Sequence, residues 1–395
     1  MADPWLSIIG IGEDGLPGLS DAARGSLAQA EIVFGGPRHL ALAAVGDRGR
    51  PWPVPFSTAP VLALRGRRVA VLASGDPFWF GAGGSLSADL EPGEWRCHPA
   101  PSTFALAAAR LGWRLEATVC LGLHAMPFEH LVPHLSQGAR ILCLLRDGKA
   151  PKALAEWLVA RGFGETDLHV MEALGGSQER VRRVLAEGFA LDDVQAPVAV
   201  ALEVRGRTGL SLAPGRPEAA FAHDGQITKA PVRALTIAAL APMPAEVLWD
   251  IGGGSGSVSV EWCRLARGAR SFAIEAKPAR AENIRANAAA FGLEDRLTVV
   301  EGAAPEALRD LPKPDAVFIG GGGDEALLHA LWPLLPEGCR LVANAVTLET
   351  EALYTRWSSV KGGDLTRIEI ANATPLGRMR GWSAARPVVQ WSVVA

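Results

Sequence analysis

No stretch of the sequence reaches the roughly 18 uncharged apolar residues that a membrane span requires. The longest candidate in the second half, residues 234–245, is short and holds Pro242 and Pro244. The opening Met1-Ala2-Asp3-Pro4 lacks the basic start of a secretory signal. Cysteine is sparse and scattered (Cys97, Cys120, Cys143, Cys263, Cys339), with no Cys-x-x-Cys pair, a usage that suits reduced thiols in a cytoplasm. A surplus of one charge is missing too. The formal net charge is −3 and neither the part before residue 210 nor the part after it is basic, which argues against nucleic acid as the main partner. Lysine supplies six of the 39 basic residues. The rest is arginine, whose planar fork suits carboxylates and phosphates, although genome base composition produces the same bias. These absences predict a soluble cytoplasmic protein with no nucleic-acid and no membrane partner. What is present is globular: 49% hydrophobic residues, with 44 Gly and 28 Pro marking many turns, over a length of 395 that suits two or three domains.

Strand and helix patterns alternate along the first part, so it is α/β. Strands are expected at residues 5–11, 32–34, 69–73, 118–121, 140–145, 167–172 and 198–204, and helices at 20–30, 102–111, 152–161 and 178–186. Residues 206–226 hold Pro214, Gly215, Pro217 and Gly225 without periodicity. This places one domain at 1–210, a linker at 211–226 and a second domain at 227–395. The second domain is more regular. Strands fit at 247–251, 271–274, 297–300, 316–319 and 340–343, and helices at 257–267, 278–291, 304–311 and 325–335. Two late strands, 365–371 and 388–394, have no obvious helix between them and suggest an antiparallel closing pair.

Asp250-Ile251-Gly252-Gly253-Gly254-Ser255-Gly256 follows a buried strand and opens a helix. Glycines allow a sharp turn and close approach to a ligand, and the helix start offers free N–H groups. Glu275 ends the next strand, where a carboxylate can accept both hydroxyls of a ribose. The pattern resembles the class I S-adenosyl-L-methionine-dependent methyltransferases, with a Rossmann-like fold. The resemblance implies that Gly252, Gly253, Gly254, Ser255 and Gly256 hold the methionine end and Glu275 the ribose. Ala303 and Ala304, in the EGAAPEAL segment, would meet the adenine; Ala303 stands where the family usually has Asp, so that contact would be through backbone. Ile227-Thr228-Lys229, EGAAPEAL and Phe318-Ile319-Gly320-Gly321-Gly322-Gly323 narrow the resemblance to decarboxylating precorrin methyltransferases. Thr228 then also lines the cofactor site. The glycine run occupies the slot where many relatives carry an Asp/Asn-Pro-Pro-aromatic motif for a target nitrogen. It fits a large flat substrate that needs clearance, or a plain turn.

In the first domain, Ser7-Ile8-Ile9-Gly10-Ile11-Gly12, Ser74-Gly75-Asp76-Pro77 and Pro101-Ser102-Thr103-Phe104 occur in an order that resembles the tetrapyrrole methylase family. That family has two α/β subdomains, here split near residue 112, with a cofactor cleft between them. Gly10, Gly12, Ser74, Gly75, Asp76, Ser102 and Thr103 are expected to line it, and His124 falls at a later cleft position. Glu13 stands where the family commonly has Pro. Ser74-Gly75-Asp76-Pro77 alone is also an ordinary turn.

The fusion resembles the decarboxylating C(5,15) precorrin methyltransferases of cobalamin synthesis. That resemblance implies methylation of precorrin-6B at carbon 5 by the N-terminal domain. The C-terminal domain would methylate carbon 15 and remove the carbon 12 acetate carboxyl, giving precorrin-8. The alternatives are a methyltransferase acting on RNA or a translation factor, or one domain serving as a non-catalytic cofactor-binding module. A small corrinoid substrate carries several carboxylates, and Arg378 and Arg380, between the last two strands, are proposed as its anchors. A homo-oligomer is expected. No metal site is expected: Glu129, His130 and His134 are interrupted by Pro133 and lack a further ligand. The residues name no catalytic acid or base.

Overall fold

Buried apolar runs become the inner strands of three sheets in the computed structural model, which describes residues 4–206 and 209–395. The chain divides into two units. The first, Met1–Phe128 with His134–Gly209, carries two sheets; the second comprises Leu210–Ala395 and the short segment Glu129–Pro133. In the first unit, β1 (Leu6–Ile11), β2 (Ile32–Gly35), β3 (Gly49–Pro51), β4 (Val69–Ser74) and β5 (Trp95–His98) form a sheet in the order β3-β2-β4-β1-β5. All its pairings are parallel. A parallel sheet is apolar on both faces. Accordingly Ile9 and Leu72 pack on one side with Leu27, and Ile8 and Val71 on the other with Leu86. The second sheet joins β6 (Val119–Gly122), β7 (Arg140–Leu145), β8 (Asp167–Glu172), β9 (Arg180–Leu185) and β10 (Val198–Glu203) in the order β6-β7-β10-β8-β9. Only its β6–β7 pairing is parallel.

Residues 178–186, expected to be helical, are corrected to β9. Its side chains alternate between half-buried and exposed. Arg180 and Arg182 share a face and both bond the buried Glu172 and the exposed Asp193, while Arg183, on the opposite face, bonds Asp167. Period-two charge pairing across a strand outweighs local helix preference here.

The second unit holds β11 (Val247–Ile251), β12 (Arg270–Glu275), β13 (Leu297–Glu301), β14 (Ala316–Ile319), β15 (Arg340–Ala345), β16 (Asp364–Ile368), β17 (Ala371–Leu376), β18 (Met379–Ala384) and β19 (Val388–Val394). Seven of these form the order β13-β12-β11-β14-β15-β19-β16. The first five run parallel, and β19 enters antiparallel between β15 and β16. The late strands thus pair antiparallel, as expected. The stretch between them is a separate exposed hairpin, β17–β18, rather than an open loop. Residues 304–311 give only a short 3-10 turn, Glu306–Leu308, because Leu308 is their one buried anchor. Helices Ala230–Leu240 and Leu348–Lys361 were not expected.

Part of the stretch 211–226 is built into the second unit. Backbone N–H groups of Gly215 and Arg216 donate to Glu261, which also accepts from the fully buried Arg233. Phe221 is buried against Phe291. A buried ion pair is tolerated only when its remaining polar atoms are matched, and Glu261 meets that condition with three donors. Among the described residues, no helix is long and apolar enough to cross a membrane, and no cluster of three or more potential ligands could hold a metal.

Candidate functional site

The chain carries two glycine-lined cradles, each at the C-terminal ends of parallel strands, where α/β sheets present ligand crevices.

In the first unit the cradle is made by backbone contact. The Gly75 N–H donates to the Ile11 carbonyl, and the Gly75 carbonyl accepts from the Ala100 N–H, both at 3.1 Å. A Cβ on Gly10 would overlap the Gly75 carbonyl oxygen, and one on Gly75 would lie 2.7 Å from Ser102 Cα. The structure therefore brings Gly10, Gly75 and Ser102 together, as the sequence order implied. Each has a distinct duty. Gly75 turns the chain at φ 54°. Ser102 is buried, and its Oγ caps helix Thr103–Leu111 by accepting from the Ala105 N–H at 3.1 Å. Such a cap is worth about 1 kcal/mol. Thr103 is the first residue of that helix and is half-buried. Asp76 Oδ1 accepts from the Phe78 N–H at 2.9 Å, which closes the turn after β4. Gly12 leaves room for the Asp14 carboxylate, which lies 2.6 Å from where a Cβ would stand.

The departure at Glu13 is supported by an ion pair with Arg38. Glu13 also packs on the turn after β8: a Cβ on Gly176 would lie 2.7 Å from its Cβ. Ser74 is exposed, and its Oγ meets Arg38 Nη2 at 2.9 Å and His39 Nε2 at 2.8 Å. His124 is exposed beyond β6. Its ring and that of Phe80 both flank Gly122, at 3.3 and 2.9 Å from the position of a Cβ there.

Sequence reasoning missed Arg38 and His39, which lie in a short helix, Pro37–Leu42, that no periodicity announced. It also missed Phe78, Trp79 and Phe80, an aromatic run directly after Asp76-Pro77. All three are substantially exposed, at 44%, 38% and 53%. Trp79 and Phe80 lean on Phe104, with ring centroids 5.0 and 5.9 Å apart. Phe80 holds φ 58°. A bulky residue there stores on the order of 1–3 kcal/mol of strain. The signal was available: three aromatics on one polar turn are hard to bury.

The second unit builds its cradle differently. Gly252, Gly254 and Gly256 adopt φ 71°, 60° and 69°, which only glycine takes readily. The N–H groups of Gly252 and Gly253 both reach the Ile274 carbonyl at 3.0 Å, stapling the loop to the end of β12. Glu275 is 6% exposed, and its two oxygens accept from the Gly254 and Lys277 N–H groups, each at 2.9 Å. The acid is thereby fixed in orientation against the glycine loop. A Cβ on Gly256 would press Ile284 at 2.7 Å, and one on Gly252 would lie 2.6 Å from the Gly321 carbonyl. The glycine run after β14 thus abuts the first loop, and Gly320, Gly321 and Gly322 are exposed beside it.

Ser255 is buried and its carbonyl accepts from Asn287 Nδ2 at 2.8 Å. Gly302 N–H donates to the Glu275 carbonyl at 3.1 Å, which sets the exposed Ala303 and the half-buried Ala304 next to the acid. Gln226 O lies 3.6 Å from where a Cβ on Gly254 would stand, and the Thr228 carbonyl accepts from Arg233. Thr228 thus follows two residues after Gln226, which lies beside the loop, and its carbonyl is held by a buried guanidinium. Asp250 is fully buried; its Oδ2 accepts from the Ser259 hydroxyl at 2.6 Å, and its Oδ1 has no partner among the described residues. Burial pushes its pKa up to about 7. Arg378 and Arg380 lie on the exposed β17–β18 hairpin.

In the second cradle the Gly252 and Gly253 N–H groups are taken up by Ile274 and that of Gly254 by Glu275, so the loop is a rigid, side-chain-free wall with a fixed carboxylate beside it. Residues 6–190 match the tetrapyrrole (corrin/porphyrin) methylase family, and residues 219–395 the precorrin methyltransferase domain. A Sinorhizobium protein named precorrin-6Y C(5,15)-methyltransferase [decarboxylating] is 49% identical over 99% of this chain and 97% of its own length. A Mycobacterium tuberculosis protein of the same name is 40% identical over 98% and 99%. The crystal structure of the C-terminal domain of the Rhodobacter capsulatus precorrin-6Y C5,15-methyltransferase is 61% identical, with a TM-score of 0.46 over 47% of this chain and all of that one. With both cradles present and the likeness running end to end, the chain belongs to the decarboxylating precorrin-6Y C(5,15)-methyltransferase family.

Proposed function

We propose that this chain uses S-adenosyl-L-methionine to methylate precorrin-6B at carbons 5 and 15 and removes the carboxyl of its carbon 12 acetate, giving precorrin-8. The observation that carries the reading is the 49% identity to a curated enzyme of that name across the whole chain. The N-terminal cradle serves carbon 5. The C-terminal cradle serves carbon 15 and the decarboxylation.

A sulfonium methyl is already electrophilic, and a reduced macrocycle is enamine-like at its bridging carbons. The protein's main task is alignment, which is worth about 7–11 kcal/mol of barrier when reacting atoms are held close and in line. Rigid backbone cradles suit that task. Gly252 to Gly256 would receive the methionine end, Glu275 the ribose hydroxyls, and the backbone at Ala303 and Ala304 the adenine. Gly10, Gly12, Ser74, Gly75, Asp76, Ser102, Thr103 and His124 would line the other cleft. The exposed rings of Phe78, Trp79 and Phe80 would give that cleft an aromatic wall for a flat conjugated substrate. Arg378 and Arg380 would bind substrate carboxylates at the C-terminal domain. The working protein would be a cytoplasmic homo-oligomer.

The test is mass spectrometry of the product from the full chain, S-adenosyl-L-methionine and precorrin-6B, together with calorimetric counting of bound cofactor. A gain of two methyls, a loss of one carbon dioxide and two cofactor sites per chain are expected. An unchanged corrinoid in an assay with verified cofactor binding refutes the substrate.

A further inference from the structure

The contacts around Ser74 form a closed set in which one atom's protonation state can be deduced. Ser74 Oγ, exposed at the end of β4, meets both His39 Nε2 and Arg38 Nη2, and Arg38 Nη2 is also 2.9 Å from His39 Nε2. A guanidinium only donates. Nε2 is therefore an acceptor, and the imidazole is the neutral tautomer with its proton on Nδ1. Nδ1 is buried and has no hydrogen-bond partner among the described residues. Glu13 pairs with Arg38 and packs against Gly176, which fixes the guanidinium. Three strand ends, those of β1, β2 and β4, thus converge on one exposed hydroxyl backed by a proton-free nitrogen.

The chemistry assigned to this domain needs such a group. When a bridging carbon that bears hydrogen is methylated, a ring π pair forms the new carbon–carbon bond. The methyl–sulfur bond breaks, and its electrons stay on sulfur as a neutral thioether. The ring is left cationic, and the carbon holds both hydrogen and methyl. Loss of that hydrogen as a proton returns the C–H electron pair to the ring, and the proton must go to an acceptor.

We propose that the Ser74–His39 pair is this acceptor: Ser74 Oγ takes the proton from the methylated carbon while passing its own to His39 Nε2. Arg38 and Glu13 are positioning residues. Burial and then the Arg38 charge hold the His39 pKa down at about 4, so Nε2 carries no proton at neutral pH; it takes one by giving up its bond from Arg38 Nη2, and the imidazolium readily yields that proton to water. A weak base suffices, because the cationic intermediate is a strong acid. The inference rests on the N-terminal domain methylating carbon 5.

The test uses the full chain with S-adenosyl-L-methionine and precorrin-6B deuterated at carbon 5, and follows methylation at each carbon separately by NMR. For His39→Ala and Ser74→Ala, kcat at carbon 5 should fall about 10²-fold, as for loss of a general base. In His39→Ala, which is outside the cofactor cleft lining, cofactor affinity by calorimetry and methylation at carbon 15 should be unchanged. Proton removal should become rate-limiting, so a primary deuterium isotope effect should appear at carbon 5 in His39→Ala. A wild-type rate in both variants, a parallel loss of cofactor affinity in His39→Ala, or no isotope effect overturns the proposal. Wild-type protein that leaves carbon 5 unmethylated refutes the underlying function instead.

Discussion

The two domains reach a glycine cradle by different physics. In the N-terminal one, Gly10, Gly75 and Ser102 exclude side chains because three backbones touch, and only Gly75 of these needs a left-handed φ. In the C-terminal one, Gly252, Gly254 and Gly256 are all left-handed, and a buried carboxylate, Glu275, ties the loop down. The first cradle is thus vulnerable to added bulk, and the second to backbone conformation and to charge.

The largest effect should come from Gly10→Val. Its side chain has no space beside the Gly75 carbonyl and the Ala100 N–H. The N-terminal step should be lost and calorimetry should count one cofactor site in place of two, with carbon 15 methylation intact. Loss of both steps would break the comparison, because the cradles would not be independent.

Next, Gly252→Ala should weaken cofactor binding at the C-terminal site more than Gly254→Ala. Both incur left-handed strain of roughly 1–2 kcal/mol, but only the first also presses a backbone, that of Gly321. Equal losses would mean that conformation alone governs the loop. Glu275→Gln should cost about tenfold in cofactor affinity, comparable to a hydrogen bond to a charged group. Titration calorimetry measures all three.

Asp250 gives the C-terminal cradle a pH signature opposite in sign to that of His39 in the N-terminal one, where a lowered pKa makes stability fall toward acid. The folded Asp250 pKa of about 7 lies above the unfolded value of 3.8, so the native state holds the extra proton between them. Stability from this residue is full below about pH 4, falls as pH rises toward 7 and is then level. Asp250→Asn removes that slope. The difference in Tm between wild type and variant, followed from pH 5 to pH 8, should shift in the variant's favour by several degrees. The smallest effect is expected from Arg380→Ala, a KM for the corrinoid raised severalfold with kcat kept, since the side chain is exposed on a hairpin. An unchanged KM would remove this arginine from the substrate site.

Much of this was legible because buried strands are short apolar runs with turn residues at both ends. Residues 140–145, 167–172, 247–251 and 316–319 end where the sequence said they would. Ser20 and Ser102 mark helix starts by their hydroxyls. The misses have two sources: structure set by distant partners, and a helix without an amphipathic stripe. β9 is a strand because Glu172, Asp167 and Asp193 receive its arginines. Residues 215–221 are ordered by Glu261 and Phe291. Helix Ala230–Leu240 is apolar nearly all round, so no stripe betrays it. Within the sites, glycine loops and Glu275 could be read from spacing. The Ser74–His39–Arg38–Glu13 set could not, as it joins residues 61 positions apart through side chains alone.

The position of β19 bears on how the molecule is made. Val388–Val394 sits between β15 and β16, bonded to both, and buries Trp391 completely. β16 is attached to the sheet only through this strand. The N-terminal sheets can close while synthesis continues, because their last strand ends at Glu203. The C-terminal sheet stays split until residue 394 has left the ribosome. Vectorial folding at about 5–20 residues per second therefore leaves its β15 edge unpaired for roughly 2–10 s. Chaperone demand should fall on the second domain, and shortening the chain by even one strand should leave a folded N-terminal enzyme attached to an unfolded one.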